Sequence, residues 1–166
     1  MVVKGMHRGL GTPFGRLLKR IIDLAKSFFM TDAGFWIALL DKGDDGYHQS
    51  ATDLWDIVKD EYILIPWPIF YEVLRTRLVK KPWLLTQFKF KLSEIEWTKI
   101  DDSKYRDSAL ENTIALIDKR ELSLVDRVLR LIIDDISGEY KINYLITYNK
   151  KDFYDVCYPN SVEMIP

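Results

Sequence analysis

The sequence predicts an α/β fold, with helices on both faces of a mostly parallel sheet, and three observations support this. Short apolar stretches alternate with amphipathic helical stretches, which is the pattern of parallel strands joined by crossover helices. The stretch YILIPW is apolar at nearly every position, as in strands that are buried on both faces. With 166 residues, 48% of them hydrophobic, the chain can bury the core of one ordinary domain.

Five stretches have the composition of strands. FFMTD is aromatic and ends in polar residues, and YILIPW is stopped by Pro66. IEWTKID, NYLITY and the final SVEMIP follow later in the chain. Because parallel neighbours require crossover connections, we predict a three-layer α/β/α domain over residues 28–166, without an internal repeat or an interdomain linker.

The helical stretches fall between these strands. Pro68 stands at a helix-starting position, and Asp102 or Ser103 can cap a later helix. The stretch DKGDDGY is predicted as a loop. The predicted helices are HQSATDLWDIVKD, PIFYEVLRTRLV, WLLTQFKFKLSE, KYRDSALENTIALIDKR and ELSLVDRVLRLIIDDI.

Residues 1–27 differ from the rest of the chain in charge. They hold six basic residues against Asp23, a net +5, whereas residues 28–166 carry a net −6. The segment TPFGRLLKRIIDLAKSF has apolar residues at helical spacing, which predicts a basic amphipathic helix. This N-terminal extension can dock on the body or on a second subunit, or it can contact RNA or a membrane surface.

The cysteine content and the apolar runs bear on localisation. A single cysteine, Cys157, excludes an internal disulfide and fits a reducing compartment. The basic start followed by an apolar run resembles a secretory signal, but Thr31 and Asp32 interrupt the run and no cleavage site follows. No stretch reaches the roughly 18 apolar residues of a membrane-spanning helix. We therefore predict a cytoplasmic protein with no membrane partner.

Acidic residues recur after the predicted strands. Asp32 ends the first strand, Glu72 lies in the helix after the second, and Asp152 follows the fourth. Asp126 lies on the apolar side of its helix. Because the carboxyl ends of parallel strands share one edge of a sheet, these acids can gather there. Such a cluster requires a proton or a cation, and oxygen ligands favour Mg²⁺ or Mn²⁺ over zinc.

Each acid also has an ordinary structural explanation. Glu72 can favour the helix dipole, Asp126 can pair with Arg130, and Asp152 can cap the turn into FYDV. Ser123 can bond a neighbouring backbone group or support Asp126. These alternatives stay open at the level of single residues.

The ordered set FFMTDAGFWIAL, IPWPIFYEVLRTRL, ELSLVDRVL and LITYNKKDF resembles the PIN-domain nucleases, especially the toxin ribonucleases of VapBC-type toxin–antitoxin pairs. The resemblance covers residues 28–166. It implies a PIN-like fold, an acidic pocket for one or two Mg²⁺ or Mn²⁺ ions, and hydrolysis of phosphodiester bonds, usually in RNA. It also implies an antitoxin protein and a homodimer as partners.

Residue by residue, the resemblance assigns the family's first three acids to Asp32, Glu72 and Asp126. The family's fourth acid, in a T-x-D pattern, corresponds to Asn149, so Asp152 either replaces it as a ligand or belongs to a DF ending. The implied catalytic set is Asp32, Glu72, Asp126, Asn149 and Asp152, with Asp32, Glu72, Asp126 and Asp152 as metal ligands and Ser123 and Thr147 as supporting donors. Candidates for contact with the RNA backbone are Arg75, Arg77, Lys80, Arg127 and Lys150, although solvated surface charge explains most of them as well.

The predicted function is therefore that of a Mg²⁺- or Mn²⁺-dependent endoribonuclease, the toxin of a toxin–antitoxin pair. A PIN-like module that lost its chemistry through Asn149 and binds RNA or a protein is the main alternative. A phosphate-receiving signalling domain is a third, but it needs two adjacent acids after the first strand and a Lys ending a late strand. Neither MTDAG nor LITYN supplies these residues.

Overall fold

The computed structural model describes residues 27–43, 46–75, 80–115, 121–135 and 140–166. Its first half contains β1 (Phe28–Thr31), α1 (Ala33–Leu40), α2 (His48–Val58), β2 (Tyr62–Pro66), α3 (Trp67–Arg75) and α4 (Pro82–Glu94). Its second half contains β3 (Glu96–Ile100), α5 (Arg106–Ile114), α6 (Leu124–Asp134), β4 (Tyr144–Ile146), α7 (Tyr154–Cys157) and β5 (Glu163–Ile165). Short 3₁₀ turns at Ser103–Tyr105 and Lys150–Asp152 precede α5 and α7. The amphipathic helix predicted before β1 lies outside the described residues.

The five strands form one parallel sheet in the order β3-β2-β1-β4-β5. All five predicted strands are confirmed. The chain adds β2 and β3 on one side of β1 and then returns to place β4 on its other side, so strand order reverses at β1. Ligands of open parallel sheets bind beyond the carboxyl ends of the strands at such a reversal. The residues that follow β1 are therefore the first place to look for a site.

The helices pack in two groups that are joined by α3. The first group contains α1, α2 and α4, the second contains α5, α6 and α7, and α3 contacts both α1 and α6. Right-handed crossovers that first run outward and then return place their helices on opposite faces of the sheet. The three-layer α/β/α prediction is thus confirmed. No helix in the described parts of the chain is long and apolar enough to span a bilayer.

The apolar residues after Asp32 form a buried helix. In α1, Phe35 and Trp36 are completely buried, and Trp36 donates its indole N–H to the Thr31 hydroxyl at 2.9 Å. A helix that is apolar around most of its circumference belongs in a core. The chain therefore runs from a central strand into a core helix, and Asp32 occupies the single polar position between them.

Candidate active site

Asp32 lies at the junction of β1 and α1. It is the N-cap residue of α1, with extended backbone angles of φ −91° and ψ 159°, and its N–H donates to the Ile146 carbonyl at 3.0 Å. The register of β1 and β4 pairs Thr31 with Ile146, so the residues that follow them, Asp32 and Thr147, lie side by side. The buried Thr147 hydroxyl accordingly donates to Asp32 Oδ2 at 2.9 Å.

The surroundings of Asp32 favour its neutral form. Burial raises the pKa of this carboxyl above its usual value, and the negative charge of Asp126 raises it further. The hydrogen bond from Thr147 and the N–H groups at the start of α1 oppose this rise, because they favour the carboxylate. Asp32 is thus held in place by hydrogen-bond donors, while burial and the charge of Asp126 oppose its ionisation.

Glu72 reaches the same region from α3. Its neighbours Ile69 and Val73 are completely buried, and Glu72 itself is half-buried at the edge of the core. Burial, followed by the charges of Asp32 and Asp126, raises the pKa of the Glu72 carboxyl from 4.5 to about 7. A carboxyl with that pKa exchanges a proton near neutral pH.

Asp126 occupies the first turn of α6, where it forms a capping box with Ser123. The Ser123 hydroxyl accepts from the Asp126 N–H at 3.0 Å and donates to Asp126 Oδ2 at 2.7 Å, and Oδ2 also accepts from the Ser123 N–H at 3.1 Å. Ser123 thus fills both of the roles that the sequence left open, because it caps the helix and orients the acid.

Pairing of Asp126 with Arg130, the ordinary explanation of this acid, is wrong. Arg130 makes a bidentate ion pair with Asp155 at 2.6 and 2.7 Å and donates to the Asp152 carbonyl. Its guanidinium is therefore committed to the segment that leads into α7. Asp126 remains electrostatically coupled to Asp32 and Glu72.

Asp32, Glu72 and Asp126 are called the acidic triad below. They come from the end of β1, from α3 and from α6. The charge of Asp126 raises the pKa of Asp32, and the charges of Asp32 and Asp126 raise the pKa of Glu72. Like charges in a partly buried setting are tolerated only with a proton or a cation between them. The arrangement can therefore hold a proton near neutral pH or bind a positive ion.

Asn149 and Asp152 lie together in the turn after β4. The Asn149 side-chain amide donates to Asp152 Oδ2, and the Asn149 N–H donates to the Thr147 hydroxyl at 3.0 Å. Thr147 thus links this turn to Asp32. The N-cap position of α7 is taken by Phe153, so the explanation of Asp152 as a cap for FYDV is wrong.

Two solved structures share this architecture. VapC20 of Mycobacterium tuberculosis, a sarcin-ricin loop cleaving toxin, aligns with a TM-score of 0.58 and 17% identity over 76% of this chain and 94% of its own. VapBC2 of Rickettsia felis, solved with a DNA fragment from its promoter, aligns with a TM-score of 0.52 and 18% identity over 84% of this chain and 99% of its own. No protein-family profile and no curated protein sequence matches the chain.

The chain has a PIN-domain fold. At identities of 17% and 18% the likeness concerns the fold, which by itself does not fix the chemistry. Within this fold Asp32 follows the carboxyl end of β1, where the strand order reverses, and Glu72 and Asp126 are electrostatically coupled to it. The fold agrees with the resemblance that the sequence motifs suggested.

The ligand chemistry of the site fits Mg²⁺ or Mn²⁺. The acidic triad supplies carboxylate oxygens alone, which are the donors that these hard cations prefer, and a positive ion would lower the raised pKa values of Asp32 and Glu72. Among the described residues, however, no group of three or more His, Cys, Asp or Glu side chains stands close enough to hold a metal as it is.

The basic residues proposed to contact RNA differ in exposure. Arg75 ends α3, Lys80 precedes α4 and Lys150 follows Asn149, and all three are exposed. Arg127 is only 7% exposed, so little of it is available to a phosphate. Arg77 lies outside the described residues.

Two aromatic residues beside the site were missed by the sequence analysis. Tyr47 and Tyr148 stack with their ring centroids 4.3 Å apart and their planes at 27°. Tyr148 stands between Thr147 and Asn149 in the chain, whereas Tyr47 ends a loop that the sequence marks only as polar. No local pattern joins residues so distant in sequence, because Tyr47 begins α2 whereas Tyr148 follows β4.

Proposed function

We propose that this PIN domain is a Mg²⁺- or Mn²⁺-dependent endoribonuclease that hydrolyses phosphodiester bonds in RNA, and that it is the toxin of a toxin–antitoxin pair. The observation that supports this most directly is the mutual coupling of Asp32, Glu72 and Asp126 beyond the carboxyl end of β1. A pocket of uncompensated carboxylates repels RNA unless a cation enters with it. The proposed cation explains both the acids and their position.

The side chains divide the work of such a reaction among them. A bound divalent ion stabilises charge on the phosphate and lowers the pKa of water. Asp32 and Asp126 would hold the ion, and hydrogen bonds from Thr147 and Ser123 fix the orientation of these two acids. Glu72, whose pKa is about 7, would bind the ion or orient the attacking water.

The turn after β4 would complete the pocket. Asn149 is a neutral ligand and therefore a weaker one than a carboxylate for a hard cation. The Asn149 side chain donates a hydrogen bond to Asp152, and the Asp152 carboxylate supplies the negative charge that Asn149 lacks. We therefore include Asp152 among the metal ligands and Asn149 among the residues that shape the site.

The partners follow from the proposed role. The Rickettsia felis structure is that of a VapBC2 complex on promoter DNA, and a toxin of this kind requires a protein that neutralises it. We propose a cognate antitoxin, a homodimer and a cytoplasmic location for this chain. A short reading frame immediately next to its gene would support the antitoxin.

A binding module without chemistry is the second candidate, and Asn149 favours it. Its amide N–H is turned toward Asp152, and the described acids do not form a compact ligand set. Calorimetric titration with Mn²⁺ separates the two functions. Heat that saturates below millimolar Mn²⁺ supports the enzyme, whereas no binding at millimolar Mn²⁺ supports the module.

The direct test is cleavage of RNA by the Asp32→Asn variant. We expect it to lose Mg²⁺-dependent cleavage while keeping the fold, because Asn is isosteric but lacks the charge that holds a cation. Asp53→Asn on α2, an exposed acid that bonds Gln49, is the matched control and should cleave normally. EDTA should stop the wild type and added Mn²⁺ should restore it. Cleavage by Asp32→Asn at the wild-type rate would exclude the proposed site.

A further inference from the structure

Tyr47 is a half-exposed aromatic residue whose stacking partner lies beside Asp32. One face of its ring stacks on Tyr148 at a centroid distance of 4.3 Å, yet the residue is 50% exposed. The stack covers the face of Tyr47 that turns toward Tyr148 and leaves the opposite face uncovered by that ring. A planar, solvent-facing ring of this kind is the usual platform for an unpaired base.

The inner ring of the stack lies next to Asp32. A Cβ placed on Gly34 would lie 3.7 Å from Asp32 Oδ2 and 4.0 Å from Tyr148 Cδ2. The carboxylate and the ring edge can be no further apart than these two distances together. Tyr148 also directly follows Thr147, whose hydroxyl is bonded to Asp32. A phosphate at the acidic triad would therefore have its neighbouring base within reach of the tyrosine stack.

The backbone holds Tyr47 in a fixed position relative to the triad. Tyr47 is the N-cap residue of α2, and its carbonyl accepts from the Ala51 N–H at 2.8 Å. Next to it, His48 Nδ1 lies 2.7 Å from the Ala38 carbonyl oxygen of α1, the helix that Asp32 caps. Gly46, at φ +102°, makes the turn that a residue with a side chain would adopt only under strain. Tyr47 and Asp32 thus stand at the N-termini of α2 and α1, two helices that pack against each other.

We infer that Tyr47 is a base-stacking residue, and that the substrate carries an unpaired nucleotide next to the scissile phosphate whose base lies on this ring. The inference rests on the proposed ribonuclease function and adds to it the class of RNA, since a base inside a continuous duplex cannot leave its stack without cost. Stacking tolerates any base, so Tyr47 selects unpaired structure and not a sequence.

The test uses an RNA fragment of about 12 nucleotides that spans a cleavage site mapped with the wild-type protein. Tyr47→Ala should raise KM on the order of ten-fold and leave kcat nearly unchanged, because stacking contributes to binding of the flanking base. Tyr47→Phe keeps the ring and should behave like the wild type. Tyr158→Ala removes another exposed, stacked tyrosine and is the matched control.

A modified RNA locates the contact. Replacing the base next to the cleavage site by an abasic nucleotide should raise KM for the wild type by the same factor, and it should add nothing further to Tyr47→Ala. A second RNA carries the fluorescent base 2-aminopurine at that position and is mixed with the inactive Asp32→Asn protein. Binding should quench the 2-aminopurine fluorescence, and adding Tyr47→Ala to the Asp32→Asn protein should remove the quenching.

The outcomes separate this inference from the proposed function. Equal KM values for the wild type and Tyr47→Ala, or equally fast cleavage of a fully paired duplex, would overturn the stacking site while the nuclease stands. A loss of antitoxin binding in Tyr47→Ala with an unchanged KM for RNA would assign the ring to a protein surface and also overturn it. Failure of the wild type to cleave any RNA with Mg²⁺ or Mn²⁺ would overturn the nuclease itself.

Discussion

Thr147 donates its buried hydroxyl to Asp32 Oδ2 at 2.9 Å, across the boundary between β4 and β1. The bond joins residues 115 positions apart in the chain, and it opposes the rise of the Asp32 pKa that burial causes. The same hydroxyl accepts from the Asn149 N–H. One side chain thus orients the central acid and fixes the turn that completes the pocket.

Thr147→Val should therefore impair the site while keeping the shape of the side chain. Without the hydroxyl, the pKa of Asp32 should rise further, so the pH profile of cleavage should shift toward alkaline pH. Stability should fall by about 1–3 kcal/mol, because buried partners lose their hydrogen bonds. Thr147→Ser, which keeps the hydroxyl, is the control. An unchanged pH profile in Thr147→Val would show that the bond does not tune Asp32.

Glu72 predicts an unusual dependence of stability on pH. Its pKa is raised from 4.5 to about 7 in the fold, so ionising it costs the folded state more than the unfolded state. The cost is absent below pH 4.5, grows between pH 4.5 and 7, and is fully present above pH 7. Glu72→Gln should therefore be more stable than the wild type at pH 8, by on the order of 1 kcal/mol because partial exposure weakens the effect.

Denaturant unfolding at pH 4 and pH 8 measures this difference. The two proteins should match at pH 4, where Glu72 is protonated in both states. Added Mg²⁺ at pH 8 should stabilise the wild type more than Glu72→Gln, since a bound cation favours the carboxylate. A Glu72→Gln variant that is less stable than the wild type at pH 8 would contradict the raised pKa.

Asn149→Asp should strengthen metal binding and weaken the metal-free fold. The new carboxylate would face Asp152, which Asn149 now contacts as a donor, and two like charges repel unless a cation joins them. We expect Mn²⁺ affinity to rise about ten-fold by calorimetry, and the melting temperature without metal to fall. Asn112→Asp on α5 adds the same charge as a control and should change neither. Weaker Mn²⁺ binding by Asn149→Asp would place this turn outside the metal site.

Arg130→Ala should show that the Arg130–Asp155 pair stabilises the segment around Asp152. Arg130 is 16% exposed and makes two charged bonds to Asp155 and one to the Asp152 carbonyl. Its loss should cost about 2–3 kcal/mol, or roughly 4–12 °C in melting temperature for a domain of this size. Lys59→Ala breaks the exposed Lys59–Asp56 pair and should barely change the melting temperature. Similar melting temperatures for both variants would contradict the assigned role.

The Arg130 assignment shows why the sequence could mislead at a single residue. Asp126 and Arg130 stand four positions apart on α6, which is the spacing of a helical ion pair. In the structure the Asp126 carboxylate turns back to the Ser123 N–H and hydroxyl at the start of the helix, away from the following turn. Arg130 is left to Asp155, a partner from another element. Helical spacing states which pairs can form, and competing donors decide which pairs do form.

The sequence by itself determined most elements of this protein and the chemical type of its site. Apolar runs bounded by polar residues specify five strands, because local patterns decide which face of an element avoids water. The helix α1 after Asp32 was not predicted, since a run that is apolar at nearly every position shows no helical periodicity. The candidate ligands are carboxylates, with no Cys or His among them, so a cation bound there is expected to be a hard one such as Mg²⁺ or Mn²⁺.

The tertiary structure alone decided which of these residues meet. The order β3-β2-β1-β4-β5 places Thr147 beside Asp32. Burial, followed by the charges of Asp32 and Asp126, then raises the pKa of Glu72 to about 7. Strand register and helix packing bring together residues that are far apart in sequence. Burial raises the pKa of a carboxyl only once the fold has enclosed it. Electrostatic coupling depends on distance and on exclusion of water, and neither is encoded by any local stretch of the chain.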